Sequence, residues 1–367
     1  MANASPASLK DSIGACGSGR SRDFSRHDST RQKKRLPEIE LPLDNSAMDR
    51  YRLRAAEPND EHRLRELFAT VFGESRTAEE WRWKYGASCA LATGAGYHCA
   101  ESVVALDDSE QLVAHAGVLP LPGWREGAPI PIVQVCDVMV HPEHRGGLGR
   151  HNLFTLMLRD LLARIAERLP TAFRYGFPGQ RPYLIGERSG VYECLEIALE
   201  SRLSGPRRWN NLWRAAPLDW NDARIDALWE RLNAQCRLGL IRDRAYLHWR
   251  YADNPSHRYR LYGLSRLGRL AGWGVCAETG SEPSLVDLWL PLESARHALA
   301  ALAVRLESDL SRTTGIRVWL PTAYRAALGV PGTETPVVVA NMRWETAISA
   351  EIARNLLYYT MGDVDIF

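Results

Sequence analysis

A glycine-rich, basic turn in the middle of the chain has the residue types that bind phosphate groups. It runs from His144 to Arg150, between a strand pattern that stops at Pro142 and a helix pattern that follows. Such a turn leaves main-chain amides unpaired at a helix N-terminus, where they and the helix dipole attract anions. Glycine lets the main chain approach a ligand, and Arg145 and Arg150 add positive charge. The turn therefore predicts a phosphate site, with a ligand-free glycine turn as the alternative.

Two other kinds of site are disfavoured by the residue patterns. The turn contains no Gly-x-Gly-x-x-Gly pattern, and no acidic residue ends a following strand, as a dinucleotide site would require. The seven cysteines include no Cys-x-x-Cys pair and no Cys/His spacing of a metal site. We therefore expect no metal, and free thiols in a reducing cytoplasmic compartment.

The bulk composition fits a folded protein that is not exported. With 367 residues, the chain is long enough for two domains. Its formal net charge of +2 is too small to indicate nucleic acid or a membrane surface as the main partner. No apolar run reaches the ~18 residues needed to span a bilayer, and the N-terminus lacks a signal-peptide pattern. The oligomeric state stays undetermined.

The turn lies inside a predicted α/β unit. Residues 1–47 are rich in Ser, Gly and basic side chains, which predicts a disordered leader. Alternating apolar residues predict strands, apolar residues at helical spacing predict helices, and Thr77 with Glu80 forms a capping box. We expect strands at 51–54, 97–106, 112–121, 130–140, 172–177 and 191–203, and helices over 64–72, from Thr77 to about Tyr85, over 149–168 and through Glu187.

The second half of the chain repeats the first weakly. Trp83-Lys84-Tyr85 and Trp249-Arg250-Tyr251 each end a helix that is followed by a polar loop and a hairpin. Internal duplication of one α/β unit accounts for this, and chance similarity is the alternative. We expect helices over 220–240, around Trp249 and over 293–312, and strands at 259–264, 270–276, 285–290, 316–320 and 337–342.

The segment from Val138 to Arg150 resembles the GNAT acyltransferases, whose strand-Pro-[Gln/Arg]-x-x-Gly-x-[Gly/Ala]-helix signature it nearly reproduces. The resemblance covers about residues 50–205. Glu80-Trp-Arg-Trp-Lys-Tyr85 and Tyr175-Gly-Phe-Pro178, with the stretch from Arg242 to Tyr251, are similar to a branch with two such domains in tandem. In that branch the second domain is degenerate.

This resemblance implies an α/β fold of two GNAT-like domains, each with a mixed, mostly antiparallel central sheet flanked by helices. The implied boundaries are 48–205 for an acyl-CoA-binding domain, 206–345 for a degenerate domain and 346–367 for a C-terminal helix and tail. Acetyl-CoA is the expected co-substrate. Main-chain groups of Val138, Met139 and Val140 would pair with the pantetheine arm as an added strand. The amides of Arg145, Gly146, Gly147, Leu148, Gly149 and Arg150 would hold its pyrophosphate.

The chain departs from the family pattern at three positions. His144 stands at the family's Gln/Arg position, and Gly179 stands where the branch usually has Asn. Gly186 aligns with the tyrosine that often serves as general acid. Tyr183 and Tyr192 lie near that position and are the candidate acids, although either could instead be a core aromatic residue.

Acyl transfer to an amine also needs a base and donors for the tetrahedral oxyanion. Asp137 lies on the strand expected beside the thioester and is the candidate base, with a salt-bridged structural carboxylate as the alternative. Asp363 and Asp365 near the C-terminus are the next candidates. A disordered end is the default expectation for this segment, and a tail docked into a cleft is the alternative.

The sequence as a whole predicts an acyl-CoA-dependent N-acyltransferase that transfers acetyl to an amine of a small molecule or sugar precursor. The alternative is a catalytically inactive tandem protein that acts as an acyl-CoA sensor or an interaction module. Gly179 and Gly186 favour the alternative, whereas the intact glycine turn favours retained CoA binding.

Overall fold

The computed structural model describes residues 50–146, 152–203, 212–277, 283–310, 315–320, 322–344 and 346–364. The expected leader, residues 147–150 of the glycine turn and Asp365 lie outside these ranges. Below, 50–203 is called the first half, 212–344 the second half and 346–364 the tail. In the described ranges, no helix combines the length and apolar character needed to cross a membrane.

Helices cover the sheet and position the site. Thr77 begins α2 with the expected capping box, in which its hydroxyl accepts from the Glu80 amide at 3.1 Å. Two π-helical turns, Arg82–Gly86 and His248–Ala252, follow short helices. The helices are α1 (Glu61–Phe72), α2 (Ala78–Trp81), α3 (Ala87–Gly94), α4 (Leu153–Arg168), α5 (Gln180–Arg188), α6 (Arg224–Leu232), α7 (Arg244–Leu247), α8 (Ala295–Leu310), α9 (Thr322–Leu328) and α10 (Ala350–Arg354).

The strands belong to one continuous sheet. They are β1 (Arg52–Ala55), β2 (Val103–Leu106), β3 (Leu112–Arg125), β4 (Ala128–Val140), β5 (Phe173–Gly176), β6 (Tyr192–Leu203), β7 (Trp213–Pro217), β8 (Leu238–Leu240), β9 (Tyr259–Arg266), β10 (Arg269–Ala277), β11 (Ser284–Trp289), β12 (Ile316–Trp319), β13 (Thr333–Met342) and β14 (Leu357–Tyr358). Most neighbours are antiparallel, whereas β4–β5, β11–β12 and β14–β8 are parallel. This mixed, mostly antiparallel sheet with flanking helices confirms the predicted α/β fold class.

The strand order is the same when it is read from either edge of the sheet. The order is β1-β2-β3-β4-β5-β13-β6-β12-β11-β10-β9-β7. From one edge, five strands of the first half are followed by β13 of the second half. From the other edge, five strands of the second half are followed by β6 of the first half. This order is what a duplicated unit would produce, while the domain boundaries and the duplication itself stay predictions.

Apolar side chains on both faces of the sheet form the core. On one face of the first half, α4 buries Leu158 and Leu161 in a cluster with Val103 and Val135. A larger cluster joins Leu119 and other residues of the first half to the second half and the tail. Each fully buried leucine contributes about 1.5–3 kcal/mol. The arrangement leaves the ends of β4 and β5 next to the junction of the two halves.

Three sequence predictions are wrong in detail. The strand expected over 97–106 is limited to β2, because Cys99 is joined to Cys89 of α3 by a disulfide that holds the preceding segment to the helix. The expectation of seven free thiols is therefore wrong, and it no longer supports a reducing compartment. The helix expected over 220–240 ends at Leu232, since 238–240 instead form β8 between β3 and β14.

Candidate active site

The two central parallel strands of the first half separate at one end. Strands β4 and β5 pair from Ile132 with Phe173 to Val135 with Gly176, where β5 ends. Strand β4 continues for five residues to Val140. This stretch of β4 therefore has no β5 residue opposite it, and we call the space beside it the strand gap.

Main-chain groups of β4 alternate between β3 and the strand gap. The His141 amide donates to the Val113 carbonyl at 2.8 Å, so Met139 and His141 direct their groups towards β3. Val138 and Val140 consequently direct theirs towards the gap, and the Val140 carbonyl accepts from Nε of Arg145 at 2.9 Å. The pantetheine contacts predicted for Val138, Met139 and Val140 are untested and stay predictions.

A β-bulge interrupts β4 at Asp137. The pairing with β3 shifts between His115, opposite Met139, and Gly117, opposite Cys136. Asp137 adopts a φ of 42°, in the left-handed region that costs a non-glycine residue about 1–3 kcal/mol. Such strain persists where surrounding contacts fix it. Here both the side chain and the main-chain carbonyl of Asp137 are held.

The carboxylate of Asp137 is buried among three donors. Its Oδ2 accepts from the Tyr85 hydroxyl at 2.6 Å, from Nζ of Lys84 at 2.7 Å and from Nη1 of Arg76 at 3.4 Å. Burial alone would raise the pKa of Asp137, but the charges of Lys84 and Arg76 and the hydrogen bonds outweigh it and hold the pKa well below its usual range. We call these residues, together with His115, the Asp137 cluster.

This setting bears on the role predicted for Asp137. A carboxylate with a lowered pKa has a low affinity for protons, so the geometry favours a permanently ionised group over a proton acceptor. The assignment of Asp137 as general base is not tested by these contacts alone and stays a prediction.

His115 on β3 holds the carbonyl of the bulge. Its Nδ1 lies 2.9 Å from the main-chain oxygen of Asp137, and because a carbonyl can only accept, Nδ1 carries the proton. Nε2 is buried without a hydrogen-bond partner in the described part of the chain. Complete burial lowers the pKa of His115 to about 4, so the ring is neutral at physiological pH.

The π-helical turn Arg82–Gly86 brings two neighbouring residues to one carboxylate. Lys84 and Tyr85 both reach Asp137 although they are adjacent in sequence. Gly117 makes room for this contact, because a Cβ there would lie 2.4 Å from the Tyr85 hydroxyl oxygen and 2.9 Å from the Cys136 carbonyl oxygen. Wide turns of this kind occur frequently at functional sites.

The two candidate acids lie together beside α5. The Tyr183 hydroxyl donates to Oε1 of Glu187 at 2.6 Å, and its ring stacks on Tyr192 with centroids 6.4 Å apart. Burial raises the pKa of both tyrosines well above the usual value. A Cβ at Gly186 would lie 2.3 Å from the Tyr192 ring. The ring of Tyr192 thus occupies the space next to the position where the family's acid tyrosine would stand.

The start of the glycine turn contacts Tyr51, the residue before β1. The 3-10 turn Pro142–His144 follows β4, and Nδ1 of His144 lies 3.1 Å from the Tyr51 hydroxyl. Asn152 caps α4 by accepting from the Thr155 amide at 2.8 Å. Gly146 is the last described residue of the turn, and the description resumes at Asn152. The predicted pyrophosphate contacts of Gly147, Leu148, Gly149 and Arg150 therefore lie outside the described residues.

The tail is docked against residues of both halves as far as Val364. Nε and Nη2 of Arg250 donate to the carbonyl oxygens of Gly362 and Val364, both at 2.6 Å. The main-chain oxygen of Asp363 accepts from Nε2 of Gln134 on β4 at 2.7 Å. The docked alternative is thereby correct for the described part of the tail.

A second ionic cluster lies under the tail. Oδ2 of Asp287 on β11 accepts from the Tyr251 hydroxyl at 2.8 Å, and Oδ1 accepts from Nε of Arg242 at 3.0 Å. Arg242 also donates to Asp363 at 2.5 Å, and the Thr360 hydroxyl donates to Asp287 at 3.0 Å. We call these five residues the Asp287 cluster.

Sequence reasoning missed most members of the Asp137 cluster. Lys84 and Tyr85 belong to a repeated motif that predicts no catalytic role for them, and no sequence pattern singles out His115 or Arg76. The signals that could have identified them are His115 in an otherwise apolar strand pattern and Lys84 in an amphipathic helix pattern. Both patterns are common in proteins, so neither indicates a site by itself. No group of three or more His, Cys, Asp or Glu able to hold a metal is present in the described residues.

Comparisons with known proteins support the fold and part of the resemblance. Residues 52–192 match the family model described as an acetyltransferase (GNAT) domain. No sequence among curated proteins matches the chain. The resemblance to GNAT acyltransferases is therefore confirmed for this segment, while the tandem arrangement and the degenerate second domain stay predictions.

Solved structures share the fold over both halves. A GCN5-related N-acetyltransferase from Anabaena variabilis ATCC 29413 has a TM-score of 0.59 at 15% identity, covering 81% of this chain and 73% of that one. A probable N-acyltransferase from Enterococcus faecalis V583 has 0.58 at 17% identity, covering 80% and 73%. A GCN5-related N-acetyltransferase from Kribbella flavida has 0.54 at 18% identity, covering 79% and 69%. Likeness at these identities shows the fold alone.

Proposed function

We propose that the protein is an acyl-CoA-dependent N-acyltransferase, with acetyl-CoA as the acyl donor and an amine of a small molecule or sugar precursor as the acceptor. The strand gap carries the proposal, because β4 extends from Cys136 to Val140 beyond the end of β5, directly before the glycine turn. The family match over 52–192 supports the activity. The acceptor class rests on the resemblance to the tandem branch.

The residues at the strand gap fit an acyl-CoA. Val138 and Val140 direct main-chain groups into the gap, as pairing with an amide-containing arm requires. The glycine turn, with Arg145 at its described end, would hold the pyrophosphate through main-chain amides and positive charge. A bound acyl-CoA supplies the activated acyl group.

Three groups of this chain would act on the reacting atoms. The Val138 amide faces the gap and would donate to the oxyanion that develops on the thioester carbonyl. Tyr192 or Tyr183 would give a proton to the departing thiolate, and the engagement of Tyr183 with Glu187 favours Tyr192. Asp137 remains the candidate for taking the acceptor's proton.

A titration followed by an amine screen tests the proposal. Acetyl-CoA is first titrated into the full-length protein by calorimetry, and a panel of amines, including amino sugars, is then screened for release of free thiol. Binding followed by amine-dependent thiol release is expected. Binding without release from any amine would favour the acyl-CoA sensor, and absence of binding would overturn both functions.

A substitution in the glycine turn locates the binding site. Gly147→Val is expected to block close approach of the main chain to the pyrophosphate and to weaken acetyl-CoA binding tenfold or more, which is ~1.4 kcal/mol. Gly94→Val is the control, since nothing lies within 4 Å of a Cβ at that position on α3. Unchanged affinity in a folded Gly147→Val protein would contradict the site.

A further inference from the structure

The main chain at Asp137 is held more firmly than a strand of a sheet requires. The side chain accepts from Tyr85 and Lys84, and the carbonyl accepts from His115. These contacts come from two different elements, the π-helical turn Arg82–Gly86 and β3. Together they fix a residue in a backbone conformation that non-glycine residues rarely adopt.

The held carbonyl determines where the next amide points. The peptide bond between Asp137 and Val138 is trans, so its C=O and N–H point in opposite directions. The carbonyl points to His115 on β3, and the Val138 amide therefore points away from β3, into the strand gap. The His115 contact therefore adds to the pairing of β4 with β3 in fixing the orientation of this donor.

We propose that His115 and Tyr85 are positioning residues for acyl transfer, which fix the bulge at Asp137 so that the Val138 amide is aimed into the strand gap. The proposal rests on the proposed function, because the amide is useful there only if a thioester carbonyl lies in the gap. Neither side chain needs to touch the substrate. His115 acts on the main-chain carbonyl, and Tyr85 acts on the carboxylate of the same residue.

The second half has a similar ionic cluster but, in its described residues, no histidine that holds a strained aspartate. In the first half, His115 lies opposite Met139, which is two residues after Asp137. In the second half, Trp273 takes the corresponding place, because it lies opposite Trp289, which is two residues after Asp287. A tryptophan at this place offers no contact equivalent to that from Nδ1 of His115. Asp287 does not adopt a positive φ. The strained bulge and its histidine thus occur together in the half that also has the glycine turn.

Paired variants test the role of His115. His115→Leu removes the donor to the Asp137 carbonyl, and His115→Asn retains a side-chain N–H near the place of Nδ1. We expect His115→Leu to bind free CoA as the wild-type protein does, to have a lower ratio of acetyl-CoA to CoA affinity than the wild-type protein, and to lower kcat about 10²-fold with the best amine of the screen. His115→Asn is expected to recover most of both losses.

Tyr85→Phe and Tyr251→Phe form a second matched pair. Each removes one hydroxyl that donates to a buried aspartate at 2.6 or 2.8 Å. We expect Tyr85→Phe to lower the plateau of the pH–rate profile about tenfold, and Tyr251→Phe to leave kcat unchanged. If Tyr85 acted only on the proton affinity of Asp137 and did not position the bulge, Tyr85→Phe would shift the acid limb to higher pH and keep the plateau.

Each outcome decides for or against the positioning role. Unchanged kcat and an unchanged acetyl-CoA to CoA affinity ratio in folded His115→Leu would overturn it, as would a His115→Asn protein no better than His115→Leu. Equal losses of kcat in Tyr85→Phe and Tyr251→Phe would also overturn it. If the wild-type protein neither binds nor turns over acetyl-CoA, the proposed function fails separately. Hydrogen exchange over 136–140 would still show whether His115→Leu releases the bulge.

Discussion

The Asp137 cluster and the Asp287 cluster are built from the same parts in corresponding places. In each, a tyrosine from a π-helical turn donates to a buried aspartate, on β4 in one half and on β11 in the other. The two turns also contact each other, since Nε1 of Trp83 donates to the Trp249 carbonyl and Nε1 of Trp249 donates to the Trp83 carbonyl. The two halves therefore share the π-helical turn, its tyrosine and the buried aspartate.

The differences between the clusters indicate which one serves a reaction. Asp137 lies in a strained bulge beside a gap between strands, whereas Asp287 has an ordinary φ and is covered by the tail. Charges and hydrogen bonds lower the pKa of Asp137, while burial raises the pKa of Asp363 despite the opposing charge of Arg242. Of the two aspartates, Asp137 alone has a positive φ and lies where β4 extends beyond β5, and this difference supports the proposal that the chemistry belongs to the first cluster.

Replacing each aspartate by asparagine is expected to give the largest effects. Asp137→Asn should lower turnover by ~10²–10⁴ at neutral pH while leaving acetyl-CoA affinity nearly unchanged. Asp287→Asn leaves a buried arginine with one fewer carboxylate and should lower the free energy of unfolding by ~3–5 kcal/mol with turnover per folded molecule preserved. Steady-state kinetics and chemical denaturation measure the two effects.

The opposite pattern would remove the distinction between the clusters. If Asp137→Asn lost stability but kept its turnover per folded molecule, Asp137 would be a structural carboxylate like Asp287. The base would then have to be sought among the C-terminal carboxylates, Asp363 and Asp365, or be absent.

Acidification is expected to destabilise the protein through His115. Its pKa in the folded state is about 4, against 6.5 for an unperturbed histidine, because burial disfavours the charged ring. In the unfolded chain this histidine therefore becomes protonated below pH ~6.5, whereas in the folded chain it becomes protonated only below pH ~4. The free energy of unfolding should fall by about 3 kcal/mol over this window and be fully retained above it.

Denaturant unfolding at several pH values checks this expectation. In His115→Leu, the fall in the free energy of unfolding between pH 6.5 and 4 should be lost. A Trp273→Phe protein should keep this fall, since position 273 has no titrating group. An unchanged slope in His115→Leu would show that other groups cause the acid sensitivity.

The sequence predicted the fold better than the site because the two depend on different information. Periodic apolar residues placed β4 and α4 within a few residues of their observed bounds, since burial of one face is a local pattern. The Asp137 cluster joins residues that are far apart in sequence, such as Lys84 and His115. Their meeting depends on the register of β3 with β4 and on a bulge, which no local pattern specifies. The disulfide was missed although its cysteines are only 10 residues apart, because it depends on how the segment after α3 folds back onto that helix.

Reduction of the Cys89–Cys99 disulfide is expected to have a smaller effect, confined to stability. The bond closes a loop between residues 10 apart, which constrains the unfolded chain by about 2–3 kcal/mol. It anchors α3, which continues from the turn that carries Lys84 and Tyr85. Reductant should lower the thermal midpoint of the wild-type protein and leave that of Cys99→Ser unchanged. Loss of turnover per folded molecule would show that the disulfide also maintains the Asp137 cluster.

The smallest effects are expected from adding one methyl group next to each tyrosine hydroxyl. A Cβ at Gly117 would lie 2.4 Å from the Tyr85 hydroxyl oxygen, and one at Gly362 would lie 1.8 Å from that of Tyr251. Gly117 belongs to β3 and is also confined by the Cys136 carbonyl, so the strain cannot be relieved without moving the bulge. Gly362 belongs to the tail and lies two residues before the last described residue, so we expect a clash there to displace the tail rather than a strand of the sheet.

Gly117→Ala should therefore lower turnover and cost about 1–3 kcal/mol, while Gly362→Ala should mainly release the tail. Limited proteolysis near the tail and kinetics per folded molecule separate the two responses. Gly86→Ala is the control, since nothing lies within 4 Å of a Cβ there and helical alanine is favoured over glycine. If Gly117→Ala kept full turnover while Gly362→Ala lost it, the tail, and not the bulge at Asp137, would be the element on which the reaction depends.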